Sequence, residues 1–211
     1  MSGPPPLDAA GFAAATNVSR ETLRRLEAYA ALLLTWQARI NLIGPATLGE
    51  LWRRHFLDSA QLFPLIPPGT QSLVDLGSGA GFPGLVLAIL GVPGVELIEG
   101  DSRKAAFLRE AARMTAAQVV IRDCRIEAVP PHVADVLTAR ACAPLDRLLA
   151  LGERFIGPQT TCLFLKGERV EEELTAAGKA WTMIVSRQPS RADPGGSVLL
   201  LQQVVREPRR A

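Results

Sequence analysis

From residue 20 the chain reads RETLRRLEAYAALLLTWQARI, with Leu23, Leu26, Ala30, Leu33 and Leu34 recurring at helical spacing. That period predicts one amphipathic helix with its apolar stripe laid on a core, Ser19 as its cap and Glu21 in its first turn. Two shorter helical stretches are expected near 47–54 and 55–64, until PPG at Pro67 to Gly69 breaks the pattern. The first third therefore reads as helix alone.

Beyond Gly69 the grammar changes to short apolar runs alternating with helical ones. SLVDL, VELIE, QVVIR, DVLTAR and TTCLFLK read as buried strands. Between them lie PGLVLAIL, opened by Pro83, SRKAAFLREAARMTA, capped by Ser102, and PLDRLLALGERFI, with RVEEELTAAG following the last. AWTMIVSR and SVLLLQQVVR follow without a helix between them, so they are expected as an antiparallel hairpin at one edge. The alternation predicts an α/β fold: a doubly wound, Rossmann-like, mainly parallel sheet with helices on both faces. Residues 1–68 would form a helical extension and 69–211 the sheet domain.

Composition narrows the class. A chain of 211 residues can bury a sizeable core, and no apolar run reaches membrane-spanning length. The opening MSGPPPLDAAGF lacks the order of a signal peptide, so the cytoplasm is the expected location. Three cysteines, Cys124, Cys142 and Cys162, lie too far apart for a metal or disulfide framework, and no metal site is expected. A net charge of +2 permits an anionic partner without demanding one. Candidate phosphate contacts are Arg20, Arg24, Arg25, Arg53, Arg54, Arg187, Arg191, Arg206, Arg209 and Arg210.

The run QSLVDLGSGAGFPGLVLAIL sets Gly77, Gly79, Gly81 and Gly84 inside an apolar segment. Glycine weakens helix and strand, so the bend needs positive φ or close approach of a ligand. In a doubly wound sheet the first strand-to-helix turn is where a ligand meets bare backbone and a helix N-terminus. Gly79, Gly81 and Gly84 also fit a dinucleotide fingerprint. The acid Asp75 decides between cofactors. It would repel a pyrophosphate, whereas it suits the ammonium of a methionine moiety, or orients the loop around it, so S-adenosylmethionine is favoured. Ser78 belongs to the same loop. Glu99 ends the second strand where a carboxylate can take ribose hydroxyls, with Asp101 as its rival. Adenine is expected beyond the third strand, with Ile126 on the ring and the N–H of Ile126 or Glu127 at its edge.

With these residues in place, the chain resembles the glucose-inhibited division protein B family, bacterial 16S ribosomal RNA guanine-N7 methyltransferases. The likeness rests on NLIG at Asn41 to Gly44, RHFLDS at Arg54 to Ser59, DLGSGAGFPG at Asp75 to Gly84 and RKAAFL at Arg103 to Leu108. It continues in the AR ending at Arg140 and in LKG at Leu165 to Gly167. The resemblance implies a methyltransferase sheet with added N-terminal helices, and S-adenosylmethionine as cofactor. It implies Gly77 and Phe82 as cofactor contacts, with Ile126, Glu127 and Arg140 completing the site. It also implies a partner, 16S ribosomal RNA or the small ribosomal subunit, on which a monomer is expected to act.

Guanine N7 carries an in-plane lone pair and no proton, so methylation there needs alignment and no general base. Arg140 is the expected catalytic residue, its guanidinium donating to O6 or a phosphate, or stacking on a base. Its alternative is an ion pair with Asp75 or Glu127. Arg54, His55 and Lys166 are candidate substrate contacts. Arg54 and Asp58, one helical turn apart, would otherwise pair, and His55 would anchor its helix. Cys142 keeps open a carbon-5 pyrimidine methyltransferase that uses a thiol nucleophile. A nicotinamide-dependent oxidoreductase and a non-catalytic cofactor-binding module complete the alternatives.

Overall fold

Strands that are apolar along their whole length need cover on both faces, which is how parallel strands inside α/β proteins are built. β1 (Leu73–Leu76) and β2 (Val95–Glu99) are buried throughout, and β4 (Val136–Arg140) and β5 (Thr161–Lys166) nearly so. The computed structural model describes residues 7–208. Adding β3 (Val119–Asp123), β6 (Trp181–Pro189) and β7 (Ser197–Arg206), the strands form one sheet in the order β3-β2-β1-β4-β5-β7-β6. The first five are parallel, β7 runs antiparallel to β5, and β6 pairs antiparallel with β7. The helixless hairpin thus occupies one edge, as the sequence predicts.

The helices are α1 (Ala9–Thr16), α2 (Arg20–Gln37), α3 (Asp58–Ala60), α4 (Gly84–Ile89), α5 (Ser102–Thr115), α6 (Leu145–Gly152) and α7 (Val170–Ala177). The period-two alternation of the strands sorts them into two cores. Leu73, Leu97, Leu163 and Leu165 join one core with Leu26, Tyr29, Leu33, Leu85 and Phe107 from α2, α4 and α5. Val74, Leu76, Ile98, Leu137 and Phe164 join the other with Leu145, Leu148 and Val170 from α6 and α7. The N-terminal helices therefore share a core with the sheet. Each fully buried leucine there contributes roughly 1.5–3 kcal/mol of transfer free energy.

Four local expectations are corrected. Leu34 is 51% exposed, and Tyr29 takes the place assigned to it on the buried stripe of α2. Asp101, not Ser102, caps α5, because its carboxylate accepts the Arg103 N–H at 2.9 Å. Pro83 is the cap residue of α4 and follows a cis peptide bond. The stretch expected as two helices is instead a tight 3-10 turn at Pro45–Glu50, a π-helical turn at Trp52–Leu57 and the short α3.

Chain order places β2 and β3 on one side of β1, then crosses to β4 on the other. Side chains and loops at the carboxyl ends of β1 and β4 consequently flank a crevice, the usual ligand position in this architecture. Among the described residues no helix is long and apolar enough to cross a membrane.

Candidate active site

The glycine bend after β1 has a conformational reason at several positions. Gly77, Gly79 and Gly81 have φ of 63°, 59° and 92°, a region that side chains disfavour. A Cβ on Gly77 would stand 2.7 Å from Cys142 Sγ. At Gly84 the constraint is space: a Cβ would lie 2.5 Å from Leu97 and 2.7 Å from Asp75 Cβ. The bend is braced from outside as well, since the Tyr29 hydroxyl of α2 donates to the Ala80 carbonyl.

Asp75 points inward. Thr138 Oγ1 donates to its Oδ1 at 2.7 Å, while Oδ2 has no hydrogen-bond partner among the described residues. Burial pushes its pKa up to about 6, against the lowering effect of its hydrogen bonds. Of the two roles expected for this carboxylate, orienting the loop fits this geometry: it lies under the start of α4 and away from the cavities. Ser78 is likewise committed to the loop, its hydroxyl donating to the Asp75 carbonyl at 3.1 Å.

Glu99 holds the bend from the other side. Its Oε2 accepts the Gly79 N–H at 2.7 Å and its Oε1 accepts the Asp101 N–H at 2.7 Å. Asp101, by contrast, is paired with Arg103 at 2.9 Å, which lowers its pKa to about 2. A cavity of about 740 Å³ opens over these groups, lined by Gly77, Glu99, Asp101, Ile126, Glu127 and Cys142 among others. Gly77, Glu99, Ile126 and Glu127, all expected from the sequence as cofactor contacts, thus join Asp101 around one space. It has a carboxylate at one end and the buried Ile126 at the other.

A second cavity of about 750 Å³ meets the first at Gly77, Glu99 and Cys142. Phe82, Arg54, His55, Lys104, Arg140 and Lys166 are on its wall. Phe82 is buried and stacks on Tyr29 with centroids 5.4 Å apart, and the Arg140 guanidinium lies over its ring at 4.9 Å. Arg140 donates from Nη1 to the Arg54 carbonyl at 2.9 Å, and its Nη2 stands 2.8 Å from His55 Nδ1. Its carboxylate partner is Asp58, at 3.6 Å, not the expected Asp75 or Glu127.

The π turn accompanies this change of partners. Its backbone bonding carries the Asp58 N–H to the Arg53 carbonyl, one residue wider than an α-helix. Arg54 and Asp58 each take a different ion-pair partner. Arg54 instead pairs at 2.8 Å with Asp193, in the turn between β6 and β7, a contact that raises its pKa. Asp58 turns to Arg140 and to Ser190, at 3.2 Å, with burial raising its pKa.

Two of the candidate substrate contacts, His55 and Lys166, line this cavity with their polar atoms already engaged. His55 is buried, both ring nitrogens are engaged, and burial followed by the nearby Arg140 brings its pKa down to about 3. This environment favours the neutral imidazole. Lys166 is buried between Glu173, at 2.7 Å, and the Ala143 carbonyl, also at 2.7 Å, so its ammonium is occupied. Sequence reasoning passed over Lys104 within RKAAFL. It lines the same cavity and has no ion-pair or hydrogen-bond partner for its ammonium among the described residues. The signal was its place in the first turn after Glu99.

The surface arginines are largely tied to the fold. Arg25 donates to the Thr115 carbonyl, Arg191 to the Ala15 carbonyl, and Arg187 and Arg206 pair with Glu171 and Glu153. Arg209 and Arg210 lie outside the described residues. Cys142 separates the two cavities, and burial, then Asp75 and Glu99, raise its thiol pKa. A nucleophilic cysteine needs the opposite shift, which argues against the carbon-5 pyrimidine alternative. Among the described residues no cluster of metal-ligating side chains occurs.

The family described as GidB, rRNA small subunit methyltransferase G, matches residues 22–192. A relative from Paramagnetospirillum magneticum, named ribosomal RNA small subunit methyltransferase G, is 60% identical over 90% of this chain and 93% of its own. A Rhodospirillum rubrum protein of the same name is 56% identical over 92% of this chain and 97% of its own. Among solved structures, M. jannaschii TYW2 in complex with AdoMet is similar at TM-score 0.57. It is 17% identical and covers 81% of this chain and 80% of its own. A TehB-like SAM-dependent methyltransferase from Corynebacterium glutamicum follows at TM-score 0.55, 17% identical, over 84% and 97%. At such identities these two show the fold alone.

Proposed function

Because the chain belongs to the GidB family of rRNA small subunit methyltransferase G, we propose that it transfers a methyl group from S-adenosylmethionine to N7 of one guanine in 16S ribosomal RNA. The observation that carries the reading is the meeting of two cavities at Gly77, Glu99 and Cys142, below a caged arginine. The bend fits the donor, since a Cβ at Gly77 would fill the junction and Glu99 presents a buried carboxylate beside it. Glu99 would hold the ribose, Gly77 and Gly79 the methionine end, and Ile126 the adenine, with the Glu127 backbone at its edge. Asp75, Ser78, Gly81 and Phe82 support that cradle from below. S-adenosylmethionine, when bound, supplies an electrophilic methyl carbon.

The chain's own residues supply alignment. N7 has no proton to lose, so no general base is required: His55 has both nitrogens bonded, and Asp58 faces Arg140. Arg140 would donate to the guanine edge, and Lys104 would meet the phosphate of the acceptor nucleotide. Because Arg54, Arg187 and Arg206 are paired with carboxylates, non-specific affinity for naked RNA is expected to be weak. We therefore read the substrate as the folded small-subunit particle, met in the cytoplasm by a monomer. Initial rates on free RNA and on particles lacking the modification test this, and faster turnover of free RNA would reverse it.

Calorimetric titration with S-adenosylmethionine and with NAD tests the cofactor assignment. The methyl donor should bind at one site, and Glu99→Gln should weaken it by about tenfold or more. Preferential binding of NAD would refute the assignment.

A further inference from the structure

Arg140 can act on a base only if its planar fork is held in one orientation, and three sequence motifs converge to hold it. Gly44 ends NLIG, His55 and Asp58 lie in RHFLDS, and Phe82 belongs to the glycine bend. A guanidinium carries only donors, so His55 Nδ1, 2.8 Å from Arg140 Nη2, must be the acceptor. The ring proton is then on Nε2, which stands 2.8 Å from Thr47 Oγ1. The Thr47 hydroxyl spends its own proton on the Gly44 carbonyl, at 2.8 Å, leaving a lone pair for the imidazole. Donation therefore runs in one direction, from Arg140 to His55 to Thr47 to Gly44.

The imidazole has little freedom to turn. It is buried, its centroid lies 5.1 Å from that of Phe82, and Arg140 lies over the same Phe82 ring at 4.9 Å. We propose that His55 and Thr47 are positioning residues for methyl transfer. They fix one imidazole tautomer, whose Nδ1 lone pair orients the Arg140 fork toward the acceptor base. This inference rests on the reading of the Arg140 cavity as the acceptor site. Both residues line the cavity, and each acts through the orientation of Arg140.

The two amide replacements of His55 separate this role from packing. In His55→Asn the carbonyl oxygen falls near the place of Nδ1 and can still accept from Arg140. In His55→Gln the amide reaches toward Thr47 and leaves no acceptor beside Arg140. We expect His55→Gln to lose kcat by about 10- to 100-fold, His55→Asn to recover most of that loss, and Thr47→Val to lose about three- to tenfold. Donor affinity should stay within about twofold throughout, because the donor is held elsewhere. Equal kcat in the two His55 variants, per donor-binding site, would overturn the proposal.

A measurement on the unmutated protein protects the test from misfolded variants. Two-bond 15N–1H correlations of the His55 ring should show the proton on Nε2, and a proton on Nδ1 would overturn the proposal directly. If the unmutated protein binds the donor but methylates no RNA, the functional reading fails on its own account. The tautomer measurement still decides the hydrogen-bond relay in that case.

Discussion

Arg140→Lys separates charge from shape. Lysine keeps the cation but not the fork that meets the Arg54 carbonyl and His55 together. Turnover of RNA should fall by about 10- to 100-fold while donor affinity changes little, since a lost charge-assisted hydrogen bond is worth about 1.5–3 kcal/mol. A variant with full turnover would remove Arg140 from the chemistry. Lys104→Ala should raise KM for the RNA and lower the salt dependence of binding by about one counterion, with kcat preserved. An unchanged salt slope would show that Lys104 meets no phosphate. At this scale the sequence was readable where a residue's position follows from its place at a strand end, as for Glu99 and Arg140. It was unreadable where partners come from distant segments. Nothing near Lys166 announces Glu173, and nothing near Arg54 announces Asp193.

Between residue and fold stand the elements, and Gly84 shows how they constrain each other. Its missing side chain lets α4 settle over Asp75 and Leu97, where a methyl group would stand only 2.5–2.7 Å from their side-chain atoms. Gly84→Ala should destabilise the fold by about 1–3 kcal/mol, seen as a lower denaturant midpoint with the slope unchanged. A variant as stable as the parent would mean that α4 moves freely on the sheet. The central strands were legible because their residues are buried on both faces and so read as unbroken apolar runs. The π turn was not legible. Trp52 to Leu57 has an ordinary helical composition, and the contacts of His55 and Asp58 with Arg140 are made across a long separation in sequence. The same tertiary demand put Tyr29 on the buried face of α2, where its hydroxyl holds the glycine bend and its ring stacks on Phe82.

Across the whole molecule, buried titratable groups at the site shape the response to pH. His55 has a folded-state pKa depressed from 6.5 to about 3, so the unfolded chain binds more protons between those values. Its contribution is present above about pH 6.5 and is lost as pH falls toward 3. Asp75 acts in the opposite sense. Its pKa, raised from 3.8 to about 6, gives a contribution present below 3.8 and lost as pH rises through 6. Around His55 the charged groups are Arg140, Arg54 and Asp58, of which the two arginines reinforce the depression. Thermal unfolding of His55→Asn should therefore show a smaller loss of stability between pH 6.5 and 4 than the parent protein. Parallel curves for the two proteins would contradict a neutral, buried His55. The central claim concerns the joined cavities, in which a methyl donor and a guanine are brought together beneath Arg140. It is tested most directly by incubating the protein with S-adenosylmethionine labelled in its methyl group and small-subunit particles lacking the modification, then mapping the label. The account predicts label at N7 of a single guanine in the small-subunit RNA, and label on a pyrimidine carbon, or none in the RNA, would contradict it.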